Sequence, residues 1–201
     1  MKETEVKIYT PDHSVIRQKL ESRGARLVQP RVYEKNVRYD REDKSLSNNN
    51  IVLRLRQDRG TRLTYKEPGQ IERGILTREE VEVEVSDFEA MDTILLKLGF
   101  IPAMIYEKYR RTYLLDDTQI MLDELPYGNF TEIEGEVDTI ERVLKLLGLQ
   151  NVERRSDNYV KLFEFVKHHL DLDFPDLTFE NFEAIDVPES AFIPPGSIVI
   201  R

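Results

Sequence analysis

The sequence predicts an α+β protein that is mainly antiparallel β, a meander or barrel interrupted by a few helices. Three observations carry this. Apolar and charged residues alternate with a period of two over eight short segments, the pattern of strands with one buried face. The links between them are short and turn-rich, as in "DRG", "EPGQ", "DD" and "PYGN", which suits antiparallel pairing rather than crossovers. Helical periodicity occurs at four places.

Taken in order, the first strand spans 2–9, where Glu3, Glu5 and Lys7 alternate with Thr4, Val6 and Ile8 and so share one face. "PDHSVIRQKLESRG" follows as a helix: Pro11 and Asp12 open it, Val15, Ile16 and Leu20 line one side, and Gly24 ends it. Strands are then expected at 31–40, 50–57, 61–67 and 75–85. Arg54 and Arg56 oppose Leu53 and Leu55; Arg62, Thr64 and Lys66 oppose Leu63 and Tyr65; Arg78, Glu80, Glu82 and Glu84 oppose Val81, Val83 and Val85. "SDFEAMDTILLKLG" has capping-box spacing between Ser86 and Glu89 and an apolar stripe of Phe88, Met91, Leu95 and Leu98. Strands at 104–115, 118–124 and 130–137 put Lys108 with Arg110, and Glu132 with Glu134 and Glu136. "DTIERVLKLLG" repeats the helix pattern up to Gly148, and "SDNYVKLFEFVKHH" predicts a helix over 157–168. The two strand–helix runs ending in "LGF" and "LGL" hint at two related halves.

The 201 residues divide into a globular domain, 1–168, and an acidic, proline-containing tail, 169–201. From Asp171 onward only Arg201 is basic, so the tail is expected to be extended or partly disordered, with Phe174, Leu177, Phe179, Phe182 and Phe192 able to dock it. There is no cysteine, no apolar run of about 18 residues and no apolar leader, so a cytoplasmic protein without membrane contact is expected. A net charge of −9 disfavours binding to nucleic acid polymers. The expected partner is a small molecule, and the chain a monomer or homodimer.

A half-exposed antiparallel sheet explains the alternation by itself. It does not explain why carboxylates fall on the first and last strands while guanidinium and ammonium groups fall on the middle ones. If the sheet closed with its charges inward, each buried ion would cost several kcal/mol unless paired or bound to a ligand. A chain of phosphates fits the basic rows, because arginine forks bind phosphate oxygens bidentately. Carboxylates at one end suit Mg²⁺ or Mn²⁺, hard cations that bridge to phosphate oxygens.

Glu3-x-Glu5-x-Lys7, "LRLR" at Arg54 and Arg56, "TYKEP" at Lys66, the Glu row at 80–84, "EKYRR" at Lys108 and Arg110, "MLDELPYGNFTEIE" and "SDNYVKLFEF" follow one another as in the CYTH family. This resemblance to the triphosphate tunnel metalloenzymes spans about 1–167 and implies a closed eight-stranded antiparallel β-barrel with helices packed outside. It implies metal ligands at Glu3, Glu5, Asp123, Glu132 and Glu134, Asp123 and Glu132 lying near a second cation or a nucleophilic water. Triphosphate ligands are implied at Lys7, Arg54, Arg56, Lys66, Lys108 and Arg110, catalytic roles for Lys7, Lys66 and Glu132, and charge partners at Glu80 and Glu82. The implied activity is cleavage of a phosphoanhydride bond with Mg²⁺ or Mn²⁺; the alternatives are cyclisation of ATP to cAMP and pyrophosphate, and polyphosphate or nucleotide binding without turnover. One segment departs from the family: Arg38, in "NVRYD", stands where thiamine triphosphatases have a tyrosine, which counts against that substrate and leaves the direction of Arg38 open.

Overall fold

The computed structural model describes residues 2–155 and 157–195. In chain order its elements are β1 (Lys2–Tyr9), α1 (His13–Ser22), β2 (Arg26–Asp40), α2 (Ser45–Asn48), β3 (Val52–Gln57), β4 (Thr61–Lys66), β5 (Gln70–Glu72), β6 (Ile75–Val85), α3 (Phe88–Lys97), β7 (Ile101–Leu115), β8 (Thr118–Leu125), β9 (Gly128–Glu134), α4 (Val137–Leu147), β10 (Arg154–Arg155) and α5 (Tyr159–Leu170), followed by a 3₁₀ turn at Glu189–Phe192. All eight expected strands are present, and β5 and β10 are short additions to β6 and β1.

The strands run β1-β9-β8-β7-β2-β3-β4-β6, and β6 pairs back onto β1 with Glu3 opposite Arg78. Every pairing is antiparallel, so the sheet is a closed eight-stranded barrel. Closure removes the free edges of these strands. Side-chain parity then sends Glu3, Glu5 and Lys7 inward and Val6 and Ile8 outward into the core.

Three apolar clusters pack outside or at one end of the barrel. Ile16 and Leu20 of α1 join Ile140, Val143, Leu144 and Leu147 of α4 on the backs of β1, β8 and β9. Phe88 and Leu95 of α3 cover Val37, Tyr39, Leu53 and Leu55. The strand–helix runs β6–α3 and β9–α4 thus use one layout on different parts of the wall. The helical cover is partial: Tyr65, Val81 and Val83, on the backs of β4 and β6, are 37%, 60% and 49% exposed.

Local details differ from the sequence reading for identifiable reasons. β2 starts five residues earlier than expected, passing Pro30 with register irregularities between Leu27 and Val32 that accommodate a residue unable to donate. The cap of α3 is Asp87, whose side chain accepts from the Ala90 amide at 3.0 Å, rather than the Ser86–Glu89 box. The unforeseen α2 is held by Asp40, which accepts from the amides of Leu46 and Ser47 at 2.9 and 3.0 Å. Gly148 ends α4 at φ 71°, a left-handed backbone that glycine adopts without Cβ strain.

The C-terminal segment joins the third cluster. Leu177, Phe182 and Phe192 are buried with Phe130, Tyr127 and the α5 residues Tyr159, Leu162, Phe163 and Val166. β8 pairs with β7 only as far as Tyr109, and beyond it Leu177 exchanges backbone hydrogen bonds with Ile105 and Glu107, both at 2.9 Å. The tail therefore pairs where β8 has ended.

Candidate active site in the barrel tunnel

The barrel encloses a cavity of ≈ 360 Å³. Its lining holds Glu3, Glu5, Lys7, Arg54, Arg56, Lys66, Glu80, Glu82, Lys108, Arg110, Glu132 and Glu134, twelve of the thirteen residues singled out from sequence. The remaining one, Asp123, is wholly buried beside it and bonded to Arg110 and Lys108.

Two strands supply half of the lining carboxylates. Glu5 on β1 lies directly opposite Glu134 on β9, and Lys7 opposite Glu132. Lys7 Nζ reaches Glu132 Oε1 at 3.0 Å and Glu5 at 3.9 Å. Burial together with Glu3 and Glu5 pushes the Glu134 carboxyl up to about 7. Glu3 behaves oppositely: burial favours its neutral form, but Lys66 at 2.7 Å and Arg78 at 2.8 Å outweigh that and hold it near 2. Lys66 also meets Glu80 at 2.9 Å.

A second group is built around Asp123. Arg110 Nε donates to Asp123 Oδ1 at 2.6 Å and its Nη2 to both Asp123 and Glu132; Lys108 Nζ donates to Asp123 Oδ2 at 2.9 Å and sits 3.6 Å from Glu34. Burial opposes ionisation of Asp123 and Glu132, yet the cations around them hold both below the usual carboxylate range. The floor is Tyr159 at the start of α5, whose hydroxyl donates to Asp123 Oδ2 at 2.8 Å and whose ring lies 4.6 Å from Lys7 Nζ.

The third group is the basic wall of β2, β3 and β4. Arg54 donates to Tyr106 Oη and Thr64 Oγ1, both at 3.2 Å, while Arg56 reaches Glu82 at 3.3 Å. Arg62 pairs with Asp58 at 2.8 Å. The buried Nε atoms of Arg38, Arg54 and Arg56 have no hydrogen-bond partner among the described residues. Buried polar atoms are normally satisfied, and Glu34 Oε2 and Asn36 Oδ1 on β2 also have no hydrogen-bond partner among the described residues, so this wall is incompletely paired.

Sequence parity placed the charged faces but did not single out Arg78, Glu34, Tyr106 or Tyr159. Arg78 was legible as part of an inward row. Tyr106 sits two residues before Lys108 and shares its face, a signal masked because tyrosine reads equally well as core.

The CYTH domain model matches residues 1–173. The chain belongs to the CYTH family of triphosphate tunnel metalloenzymes. Its relatives include the candidate adenylate cyclase MJ0240 of Methanocaldococcus jannaschii, 27% identical in an alignment of 170 positions that covers 80% of this chain and 95% of that protein. Among solved structures it is similar to PH1819 of Pyrococcus horikoshii, with 28% identity, a TM-score of 0.66, and coverage of 81% of this chain and 98% of that one. HpAC1 of Hippeastrum shares the fold at 18% identity and a TM-score of 0.60, over 86% of this chain and 98% of that one. The CYTH tunnel here combines an acidic β1–β9 wall with a basic β2–β4 wall. Among the described residues, no three carboxylates stand together as a ready metal cage. Those best suited to a hard cation are Glu5 and Glu134, whose directly opposed, like-charged positions leave a carboxyl that a divalent ion would keep ionised. Among the described residues, no helix is long and apolar enough to cross a membrane.

Proposed function

We propose that this CYTH protein hydrolyses a phosphoanhydride bond of a triphosphate bound in the tunnel, with Mg²⁺ or Mn²⁺. The supporting observation is the basic wall: three buried arginine Nε donors without acceptors, facing a carboxylate pair across one cavity. In this reading Arg54, Arg56, Lys66, Lys108 and Arg110 bind phosphate oxygens, and Lys7, bridging Glu5 and Glu132, orients the acidic wall toward them. Glu3, Glu5 and Glu134 would hold a cation, with Asp123 and Glu132 nearest a second cation or an attacking water. A bound cation would neutralise charge on the phosphate oxygens and help position the leaving group. Lys66 and Lys7 stabilise negative charge developing on the transferred phosphoryl group. Glu132, held ionised by Lys7 and Arg110, orients the water.

Cyclisation of ATP is the second reading, supported by the name of the Methanocaldococcus relative. Hydrolysis is favoured by the lining: among the described residues charged side chains dominate, the aliphatic ones are only Val52, Met121 and Val160, and its two aromatic residues are engaged, Tyr106 by Arg54 and the Tyr159 ring by Lys7 and Lys108. The Hippeastrum protein, a candidate adenylyl cyclase described as having dominant triphosphatase activity, illustrates that the cyclase name does not decide the reaction on this fold. The test supplies tripolyphosphate and ATP in parallel with Mg²⁺ or Mn²⁺ and resolves the products. Orthophosphate with pyrophosphate from tripolyphosphate, and no cyclic AMP from ATP, is the expected result; cyclic AMP with pyrophosphate would replace it with the cyclase reading.

A further inference from the structure

Arg38 lies on the inner face of β2, directly opposite Arg54 on β3. Like charges in that relation repel. The basic groups nearby each have a carboxylate: Lys66 has Glu3 and Glu80, Arg78 has Glu3, and Lys108 has Asp123. Arg38 makes no ion pair among the described residues, and its Nε is buried without an acceptor. Asp40, two residues away, is committed to the amides of Arg41, Leu46 and Ser47. Burial, with Arg54 and Arg78, holds the Arg38 guanidinium below arginine's ordinary range, and attraction to Tyr106 and Asp40 does not restore it. Such a group costs folding energy unless a ligand supplies the missing anion.

The anion can be specified further. In a linear triphosphate the middle phosphate carries one negative charge, whereas an unesterified end carries about −1.5 to −2 near neutral pH. Two guanidinium groups opposite one another, with the Tyr106 hydroxyl 3.2 Å from Arg54, offer more positive charge and more donors than a singly charged phosphate requires. Across β7, Arg38 is opposite Met104, which packs in the same cluster as α5. The pair therefore stands toward the end of the tunnel that α5 occupies.

We propose that Arg38, acting with Arg54 and Tyr106, recognises the second negative charge of a terminal phosphate, so that the tunnel selects substrates with an unesterified phosphate end seated toward α5. This rests on the triphosphate reading above. Any organic substituent then projects toward the other mouth.

The test measures binding by calorimetry with Mg²⁺ present, comparing tripolyphosphate with P1,P3-dimethyl triphosphate, whose two ends are methyl esters. The wild-type chain should prefer tripolyphosphate about tenfold or more, as expected when a charge-assisted contact is lost. Arg38→Met should remove most of that preference by weakening tripolyphosphate alone, and Arg38→Lys should restore part of it. Equal weakening of both ligands, or of neither, would overturn terminal recognition. Failure of the wild-type chain to bind either ligand would instead defeat the triphosphate reading, and this proposal with it. Thermal melting of the ligand-free proteins gives a second readout: Arg38→Met should melt at a higher temperature because the repulsion with Arg54 is gone. A lower melting temperature would show that Arg38 has an internal structural role and would count against the proposal.

Discussion

The group around Asp123 and the wall around Arg54 lie in one cavity and are balanced in opposite ways. Asp123 receives bonds from Lys108, Arg110 and Tyr159, and Glu132 receives them from Lys7 and Arg110. On the other wall Arg38, Arg54 and Arg56 keep buried donors unused. A saturated network fixes shape, whereas an unsaturated one stores a preference for whatever completes it. Asp123 is the scaffold of the first group, holding Lys108 and Arg110 in place for a ligand, and the second group keeps donors free for that ligand.

That contrast can be broken most forcefully at Asp123. Asp123→Ala leaves Lys108 and Arg110 buried without their main anion and should cost about 3–5 kcal/mol in denaturant unfolding; a near-neutral result would mean that the scaffold is elsewhere. Next, Leu177→Ala tests whether the tail supports the α5 end. The side chain is fully buried, so a loss of about 2–5 kcal/mol is expected from the same measurement. Glu5→Gln should lower metal-dependent turnover about 100-fold or more while melting changes little, because its ion pairs to Lys7 and Arg78 are long, 3.9 and 3.7 Å. Full retained activity would remove it from the metal assignment.

Glu134 gives a pH test. Its ordinary value is 4.5 and the folded value is about 7, so between these the folded state holds a proton that the unfolded chain releases. Its contribution therefore makes the ligand-free protein less stable as pH rises through that window. Glu134→Gln should flatten this part of the stability profile, and an unchanged profile would mean that Glu134 titrates normally. The smallest effect is expected outside the tunnel: Val81→Thr, on the uncovered back of β6, should shift stability by about 0.5 kcal/mol or less.

Strand parity made much of this legible. A one-residue slip would turn Glu3, Glu5 and Lys7 outward together, so the apolar set Val6 and Ile8 also specified where the charges point. Arg38 was left open although the same logic reaches it: Val37 and Tyr39 on either side pack under α3, which turns Arg38 inward, and the irregularity between Arg38 and Tyr39 is an extra residue on β7. Tyr159 was hidden differently. Periodicity shows that α5 has an apolar stripe but not that its first turn ends against Asp123. The tail's aromatic residues announced docking, while the edge that Leu177 covers follows from where β8 stops, a fact of three-dimensional register. The partial helical cover was likewise invisible, since Val81 and Val83 look the same whether or not a helix lies over them.

Closure through β1 also constrains how the chain can fold as it is made. β1 leaves the ribosome before its partners, which are β6 and the short β10 on one side and β9, ending at Glu134, on the other. Until β9 has emerged, one side of the acidic strand is without its hydrogen-bonding partner. Contacts of such sequence separation slow folding, because loop-closure entropy is lost before pairing compensates it. The nascent barrel must therefore spend its synthesis as an open sheet, and chaperone dependence should track the delay before β9 arrives.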